Sequence, residues 1–593
     1  MLKVLINRGP GMRYFLKRTN IKKGEYLQIY ISEYKRDIGS RNRSYRKLGY
    51  TSELKEKGMR DPVSYFRAQV DKMNAELAAK EKEERAMKVG KTSPKRHAGY
   101  FVLKGIANSL PLFEKAVRAM SGERQFQYDV YGMMMALVYA RATCPASKKK
   151  THEEILPLLF EKVDENSYPQ VLSCCEFIGS DYPKYVSCLT NAVRNTYGTS
   201  CEETYFDCTN FYFEIDKEDA LRKKGPSKEN RHDPLIGMGL LLDRNQIPVG
   251  LKMYPGNESE QPKIRELVAG MKKENGIQGR TIQIADKGLN CARNIHEALK
   301  NGDGYIFSKS LKKQPDKELD RLKGLDRSNW QIVREEGKDG EKKEKYRCYS
   351  YTGDFEYSYA DDLGTPVRFT TREKRIITFS PRLHMKKTLE INKLVEKARN
   401  LCLYKAKKEE FGECARFVRF TADGGRKPGV VLDEEAIGKE RMLAGYNMLV
   451  TSETKLSDRA VYGTYHNLWR IEQSFRMMKS YLDARPVFMR TRDSIYGHFL
   501  ICYIGVVLER ILEFHVIGSR FGYEKILDFV KNFTLVRMDS KNYLNLLTSS
   551  DEVGKFLEET LCPEVTNLFI TPANISDLMK LKLNKRLEDY RMV

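Results

Sequence analysis

The chain has 593 residues, which is too long for one hydrophobic core and predicts about three or four domains. Hydrophobic residues make up 41% of the sequence and aromatic residues 10%, which excludes a mainly disordered protein. The formal net charge of +24 favours polyanions as binding partners.

The twelve cysteines are scattered and form no C-x-x-C pair, which argues against zinc ribbons and zinc fingers. The N-terminus has no sustained apolar run that could act as a secretory signal, so we expect reduced thiols in a cytosolic protein. The best candidate for a membrane segment is FLICYIGVVL, Phe499–Leu508. It is too short to span a bilayer and predicts a buried helix.

Residues 1–60 carry 16 Lys and Arg against 5 Asp and Glu. The alternating segment YLQIYISEY, the polar turn KRDIGSRNRS and the segment YRKLGY predict short strands joined by basic hairpins, a basic β-rich module. Its cations are either solvated surface charges or contacts to nucleic-acid phosphates. The candidates among them are Arg41, Arg43, Arg46 and Lys47.

The pattern of residues 61–200 predicts mainly helices with breaks at prolines. We interpret this range as a helical linker and DNA-binding region. From residue 201 the pattern changes to strands that are rich in apolar and aromatic residues. Strands are predicted at ETYFDCTNFYFE, LIGMGLLL, IPVGLKMY, TIQIADKGLN and GYIFSKS, with one helix after PGNESEQ. The predicted order over 201–309 is β-β-β-α-β-β, which indicates a mixed α/β sheet.

Residues 310–440 are polar and strand-like, with glycine-rich turns and one predicted helix, TLEINKLVEKARN. We interpret them as a β-rich insertion. Residues 441–515 return to an apolar strand, GYNMLVTSE, and continue the core with a helix at YHNLWRIEQSFRMMKS. Residues 516–593 predict a C-terminal helical region without strands.

The segment YHNLWRIEQSFRMMKS carries two patterns. Tyr465, Glu472 and Lys479 are spaced by seven residues, about two helical turns, so one continuous helix would present them on one stripe. A second stripe is apolar and consists of Leu468, Ile471, Phe475 and Met478. An ordinary amphipathic surface helix shows the same pattern, so the segment alone does not distinguish packing from chemistry.

Three acidic residues stand at informative places. Asp207 lies inside a hydrophobic strand, where aspartate is disfavoured, and Asp286 lies at the end of another strand. Glu472 lies on the helix after the insertion. A mixed sheet that brings two strand carboxylates beside a helix carboxylate can hold two divalent cations for phosphoryl transfer.

Each of these residues also has an ordinary explanation. Asp207 alone fits a surface-facing strand residue, and Asp286 fits a turn cap with Gly288. The basic neighbours Lys228, Arg231 and Lys287 fit either phosphate contacts or surface charges.

Several longer segments, in this order, resemble a known family: YFDCTNFYFE, GPSKENRHDPLIGMGLLLDRNQIPVGLKMYPGNESE, IADKGL, GYNMLVTSE, YHNLWRIEQSFRMMKSYLDARPVF and GHFL. The chain is similar over most of residues 1–515 to bacterial insertion-sequence transposases of the DDE type, the "IS four" superfamily and its larger relatives. The resemblance implies a ribonuclease H-like mixed-sheet core, interrupted by a β-rich insertion.

By this resemblance Asp207, Asp286 and Glu472 are the catalytic metal ligands. They would bind two Mg²⁺ ions, for which Mn²⁺ can substitute. The superfamily has a Tyr, Arg, Glu, Lys signature around its glutamate, to which Tyr465, Glu472 and Lys479 correspond as metal-site and DNA-binding positions. The arginine position is Leu468 here, a departure that affects one phosphate contact, and Arg476 is a candidate to supply that charge.

The resemblance also implies the partners. These are double-stranded DNA, as terminal inverted repeats bound by the N-terminal module and as target DNA, and a second copy of the chain on DNA. No membrane is involved, and the expected location is the bacterial cytoplasm, at the nucleoid when DNA is bound. Relatives often free the second strand through a DNA hairpin with aromatic stacking. Trp330 is a candidate for that stacking, and Trp469 is expected to pack in the core.

The implied chemistry is hydrolysis of the phosphodiester at each element end and attack of the exposed 3′-OH on target DNA. Two alternatives share the sequence pattern. One is a ribonuclease H-like nuclease without strand transfer, and the other is a transposase-derived DNA-binding protein that no longer catalyses.

Overall fold

The computed structural model describes residues 13–35, 39–86, 94–163, 166–228, 232–274, 279–336, 341–403, 408–421, 429–485, 487–561 and 564–590. The chain divides into two compact units. The first consists of Met1–Pro94 with Val536–Leu544, and the second of Lys95–Leu535 with Asn545–Val593.

The first unit contains an antiparallel three-stranded sheet of β1 (Arg13–Ile21), β2 (Gly24–Lys35) and β3 (Gly39–Tyr50), in that order. Two helices follow, α1 (Thr51–Glu56) and α2 (Pro62–Ala86). The alternating apolar residues of β2 are buried, since one face of a strand receives every second side chain. They pack with side chains of the two helices in a small core.

The remaining strands and helices follow in chain order. The strands are β4 (Lys95–His97), β5 (Glu203–Tyr212), β6 (Leu235–Leu242), β7 (Pro248–Pro255), β8 (Ile282–Ala285), β9 (Gly304–Lys309), β10 (Gln331–Glu336), β11 (Lys342–Ala360), β12 (Pro366–Phe379), β13 (Val418–Thr421), β14 (Gly429–Leu432), β15 (Tyr446–Thr451), β16 (Thr534–Arg537), β17 (Tyr543–Asn545) and β18 (Phe569–Ile570). The helices are α3 (Phe101–Ala107), α4 (Pro111–Gly122), α5 (Val130–Thr143), α6 (Lys148–Lys150), α7 (Tyr168–Ser180), α8 (Tyr182–Tyr197), α9 (Gln261–Glu274), α10 (Ala292–Lys300), α11 (Asp316–Lys323), α12 (Pro381–Leu403), α13 (Glu434–Leu443), α14 (Asp458–His466), α15 (Trp469–Arg476), α16 (Arg492–Ile511), α17 (Tyr523–Asn532), α18 (Glu552–Thr560) and α19 (Pro572–Lys580).

The second unit is built on a nine-stranded sheet in the order β10-β11-β12-β15-β9-β8-β5-β6-β7. β8 runs parallel to both of its neighbours, β5 and β9, whereas the other neighbouring strands are antiparallel. The sheet is therefore mixed, and the predicted mixed α/β class is confirmed. Buried side chains of its strands form one core with α9, α10 and α11.

One helix of the core was not predicted. α10 lies between β8 and β9, where the sequence pattern predicted two strands in direct succession. Two neighbouring parallel strands need a crossover connection, because the chain must return to the same end of the sheet before it starts the second strand. The predicted order β-β-β-α-β-β is wrong at this point, and the observed order is β-β-β-α-β-α-β.

The polar stretch 310–440 contributes three strands, β10, β11 and β12, to the main sheet. β12 pairs with β15, the apolar strand that follows the stretch. The stretch also contains three helices, α11, α12 and α13, where one was predicted. A separate small core forms where α12 and α13 pack with residues 408–418. The domain boundaries themselves stay predictions.

The C-terminal part includes a helix whose residues are almost all buried, α16. It contains the segment Phe499–Leu508 and packs against α5 and α7. Among the described helices, none is both long and apolar enough to cross a membrane. The residues after 516 were predicted to be helical only, but three short strands, β16, β17 and β18, accompany the helices there.

A buried carboxylate ties three strands together. Glu373 on β12 has no exposed surface, and its Oε2 accepts hydrogen bonds from Tyr305 Oη at 2.7 Å and Tyr357 Oη at 2.8 Å. Its Oε1 accepts one from Arg375 Nε at 2.8 Å, and Arg375 Nη1 also lies 3.3 Å from Glu318 Oε1 on α11. The network thus links β9, β11 and β12 to α11.

We expect Glu373→Ala to lower the free energy of unfolding by about 3 kcal/mol, because the change removes the acceptor of the buried Tyr305 hydroxyl and of the partly buried Tyr357 hydroxyl and weakens the pairing of a buried guanidinium. Thermal and urea unfolding of the full chain measure this. The control is Glu356→Ala on β11, an exposed position where we expect a change within about 0.5 kcal/mol. Equal effects of the two substitutions would show that the network does not stabilise the sheet.

Candidate active site

The register of two parallel strands brings two aspartates side by side. Phe206 on β5 pairs with Ala285 on β8. Asp207 and Asp286 each follow one residue later, so they occupy adjacent positions on strands that lie about 4.8 Å apart. Both side chains are partly buried, and that of Asp207 is 23% exposed. Two of the three predicted acids are therefore brought together.

The electrostatics of this pair disfavour two negative charges. Burial raises the pKa of Asp207 to about 6. The carboxylates of Glu260 and Asp286 also raise this pKa, Lys228 and the backbone N–H of Cys208 lower it, and the value of about 6 is the net result. Such an excess of partly buried carboxylate charge is what a hard divalent cation neutralises.

Lys228 lies within this acidic group. Its Nζ is 4.0 Å from Asp207 Oδ1 and 3.4 Å from Glu260 Oε1, and it also donates a hydrogen bond to the Cys208 carbonyl. A cavity of about 400 Å³ opens here, lined among others by Lys228, Glu258 and Glu260. Glu260 was not singled out from the sequence, because its turn, PGNESEQ, resembles any polar connection.

Tyr465 contacts a carboxylate of the pair. Its Oη donates a hydrogen bond to Asp286 Oδ1 at 3.0 Å. Burial raises the pKa of Tyr465, and the charge of Asp286 raises it further, so the hydroxyl keeps its proton. This hydrogen bond connects α14 directly to Asp286. For Tyr465 the sequence had predicted only a contact to DNA.

The segment predicted as one continuous helix is interrupted, and this prediction is wrong. α14 ends at His466, α15 begins at Trp469, and a π-helical turn covers Met477–Tyr481. Between the two helices, the Leu468 N–H bonds to the Tyr465 carbonyl and the Ile471 N–H to the Leu468 carbonyl, a tighter spacing than in an α-helix. The residues spaced by seven therefore lie on three different pieces of backbone. The predicted apolar stripe is buried as expected.

Glu472 is exposed in the first turn of α15. α15 packs against β5, the strand that carries Asp207. Among the described residues, however, no three His, Cys, Asp or Glu side chains are arranged to hold a metal ion together. The structure brings the two aspartates together, and the place of Glu472 in a metal site with them stays a prediction.

A buried arginine on α16 holds α15 in place through hydrogen bonds. Arg510 on α16 has no exposed surface and pairs with Glu513. Its Nε donates to Ser474 Oγ at 3.2 Å and its Nη2 to the Arg470 carbonyl at 3.3 Å, and both of these residues belong to α15. The signal was present in the sequence, since Glu509 and Arg510 interrupt an apolar helix, where charged residues are rare unless they are paired.

The other predicted DNA-binding residues lie as follows. Lys479 is in the π-helical turn, with Nζ 5.3 Å from the centre of the Phe211 ring, and Arg476 is exposed on α15. Lys287 is exposed beside Asp286, on a second cavity of about 270 Å³ that is also lined by Lys309 and Lys312.

Arg43, Arg46 and Lys47 are exposed on β3, while Arg231 and the side chain of Arg41 lie outside the described residues.

The two tryptophans differ from each other. Trp330 is partly buried and packs against the core of the main sheet, near Tyr446. Trp469 was expected to pack in the core, but it is 49% exposed, so that prediction is wrong. Trp469 lies three residues before Glu472, on the exposed side of α15 and outside the buried apolar stripe.

Residues 213–508 match the family model of the transposase DDE domain. The match supports a DDE transposase. The matched range contains Asp286 and Glu472 and begins six residues after Asp207. No curated protein matches the chain.

We expect Asp207→Asn to stabilise the metal-free protein at pH 8. The folded-state pKa of Asp207, about 6, lies above its ordinary value of 3.8, so ionised Asp207 lowers stability above pH 6 by up to about 3 kcal/mol. Below about pH 4 the wild-type carboxyl is protonated in the folded state, and the difference should vanish. Thermal unfolding in EDTA across this pH range measures the effect.

The control is Asp216→Asn, an exposed residue beyond the end of β5, for which we expect no change in the unfolding midpoint. A destabilising effect of Asp207→Asn at pH 8 would contradict the electrostatic interpretation of the site.

Proposed function

We propose that this chain is an active DDE transposase, which cuts DNA at the ends of an insertion sequence and joins the exposed 3′-OH to target DNA. The observation that carries the proposal is the adjacent placement of Asp207 and Asp286 in parallel register, in a chain whose residues 213–508 match the transposase DDE domain.

Asp207, Asp286 and Glu472 are the proposed ligands of two Mg²⁺ ions, and Mn²⁺ can take their place. The donor chemistry fits, because carboxylate oxygens are the ligands that hard cations prefer, and the aspartate pair carries charge that its surroundings only partly compensate. When bound, the cations would activate the attacking oxygen and stabilise the leaving oxygen of a phosphodiester.

The chain's own residues position these ligands. Tyr465 holds one oxygen of Asp286 through its hydroxyl, and Lys228 lies beside Asp207 and Glu260. Arg510 holds the backbone and a side chain of α15, the helix that carries Glu472. Lys228 therefore acts first on the acidic group, and only secondarily as a candidate contact to DNA phosphate.

The basic N-terminal module is the proposed binder of the terminal inverted repeats, through Arg41, Arg43, Arg46 and Lys47. Arg231, Lys287, Arg476 and Lys479 are proposed phosphate contacts nearer the site. Two ends must be held together for joining, so the proposed working form is a homodimer on double-stranded DNA. The resemblance to insertion-sequence transposases of the "IS four" type implies the same form.

One observation favours a second candidate function. Glu472 is exposed, and among the described residues no three His, Cys, Asp or Glu side chains are arranged to hold a metal ion, which fits a transposase-derived protein that binds DNA without catalysis. A nuclease that cuts without joining would use the same residues as the transposase, so only the products distinguish these two.

We expect Glu472→Gln to lower end cleavage by at least about 100-fold, because the change removes a carboxylate ligand while it keeps the size of the side chain. The assay uses purified full-length protein, Mg²⁺ and a plasmid that carries the native flanks of the gene. Cleavage at the ends and joining to a target plasmid are measured separately.

The matched control is Glu123→Gln, an exposed glutamate after α4, which should cut and join as the wild type does. Metal-dependent cutting and joining that only Glu472→Gln abolishes establish the transposase. Cutting without joining identifies the nuclease. Equal activity of both variants would remove Glu472 from the site, and no cutting by any form would identify the DNA-binding protein.

The N-terminal module gives an independent prediction. We expect combined substitution of Arg43, Arg46 and Lys47 by Gln to weaken binding to duplexes that contain the element ends. The slope of log K against log salt should fall by about 0.9 for each phosphate contact that is lost. Fluorescence anisotropy across a salt series measures it, with Lys22 and Lys23, exposed in the turn between β1 and β2, changed to Gln as the control. Equal slopes for the two variants would contradict the assignment of β3.

A further inference from the structure

Three basic side chains meet in the interior of the second unit, away from the aspartate pair. Arg141 on α5, Lys148 on α6 and His498 on α16 are 6%, 5% and 3% exposed. Lys148 Nζ lies 3.3 Å from His498 Nδ1, and His498 Nε2 lies 3.0 Å from the Ala484 carbonyl oxygen. A carbonyl oxygen can only accept, so Nε2 carries the hydrogen and Nδ1 accepts from the Lys148 ammonium.

In this arrangement the hydrogen-bond acceptors of both cations are neutral groups. His498 is neutral in this tautomer, because burial lowers its pKa well below the ordinary value, as do the charges of Lys148 and Arg141. Arg141 Nη1 donates to the Asp483 carbonyl at 3.2 Å and approaches that of Leu482 at 3.5 Å. Within the described part of the chain, neither Arg141 nor Lys148 forms an ion pair with a carboxylate. The ammonium uses one of its three donors on His498.

Two adjacent buried cations without an anion are unfavourable in a protein interior, where charges are normally paired. The cost is visible at Lys148, whose pKa falls to about 8, mainly through burial and also through the charge of Arg141. A purely structural role would be served better by apolar side chains of similar size. An anion that occupies the space between the cations would remove the cost.

A cavity is present at this place. It measures about 60 Å³ and is lined by Arg141, Ser147, Lys148 and His498 on its basic side. A single water needs only about 10–15 Å³ of such space, so a small anion can be accommodated. Phe488, which is 69% exposed, also lines the cavity and marks its connection with solvent.

One acidic residue, Asp483, lines the cavity as well and is exposed. Its carboxylate acts on the pKa of Lys531, together with that of Asp528, so part of its charge is compensated by a lysine outside the cavity. None of the residues that line this cavity lines the one at Asp207.

We propose that this cavity binds one phosphate group, with the Arg141 guanidinium and the Lys148 ammonium as its ligands. The group is either a phosphodiester of bound DNA or a free phosphate ion. The DNA source rests on the proposed function, whereas binding of the ion does not.

The chain offers a matched control for the test. Lys149 is the next residue, carries the same charge and has a side chain that is 69% exposed. We would compare wild type, Lys148→Met, Lys148→Gln and Lys149→Met as full-length proteins. Thermal unfolding is followed with increasing inorganic phosphate, against chloride at matched ionic strength and without divalent metal. Binding of a duplex of arbitrary sequence is then measured across a salt series.

We expect phosphate to raise the unfolding midpoint of the wild type and of Lys149→Met, and to leave both Lys148 variants unchanged. If DNA supplies the group, the salt slope of duplex binding falls by about 0.9 in the Lys148 variants beyond the change in Lys149→Met. If phosphate stabilises the wild type but the salt slope of duplex binding is the same in the Lys148 variants as in Lys149→Met, the site binds the free phosphate ion and not a DNA phosphodiester.

The proposal is overturned if phosphate stabilises the wild type no more than chloride does, a result that needs no variant to fold. It is also overturned if all three variants respond to phosphate as the wild type does. Neither readout depends on cleavage, so an inactive protein that still shows the Lys148-dependent response would contradict the proposed function and support the phosphate site.

Discussion

Parallel pairing of β5 with β8 is the constraint on which the arrangement of the site depends. It fixes Phe206 opposite Ala285 and therefore places Asp207 beside Asp286. Because side chains alternate along a strand, a slip of one residue would move one aspartate to the opposite face and separate the pair. Phe206, Cys208 and Ala285 of these strands are buried in one core, and a slip would disturb their packing, so the register of the acidic pair depends on that core.

The same sheet joins parts of the chain that are far apart in sequence. β15 lies between β9 and β12, and the Glu373 network adds hydrogen bonds across β9, β11 and β12. Residues 310–440 are thus not simply attached to the core by two connections, because their long strands extend its sheet. The stability of the sheet that carries Asp207 and Asp286 therefore includes contributions from this stretch.

Features encoded in local patterns were predictable from the sequence. The apolar strands of the core, the position of both aspartates relative to those strands, and the buried stripe of Leu468, Ile471 and Phe475 all follow from periodicity. α10 was missed because it is short and mostly polar, and its presence is required by strand direction, which periodicity does not report. The interruption at residues 467 and 468 has no proline or glycine to mark it.

Contacts between distant segments could not be predicted in this way. The hydrogen bond from Tyr465 to Asp286, the approach of Lys228 to Glu260 and the meeting of Arg141, Lys148 and His498 depend on how helices and strands pack. A lysine in the run KKK gives no sign that the first of the three is buried and the next two are exposed. Residue type and spacing identified candidates, and only tertiary structure shows which atoms meet.

The helices α7 and α16 cross so closely that two positions in the second unit have no room for a side chain. At Gly179 an added methyl group would lie 1.8 Å from the Asp493 carbonyl oxygen, and at Gly497 it would lie 1.9 Å from that of Cys175. The two backbones are thus in direct contact at both glycines, with no room for a side chain between them. α16 carries both His498 and Arg510, so a larger side chain at either glycine would push on the helix that positions both residues.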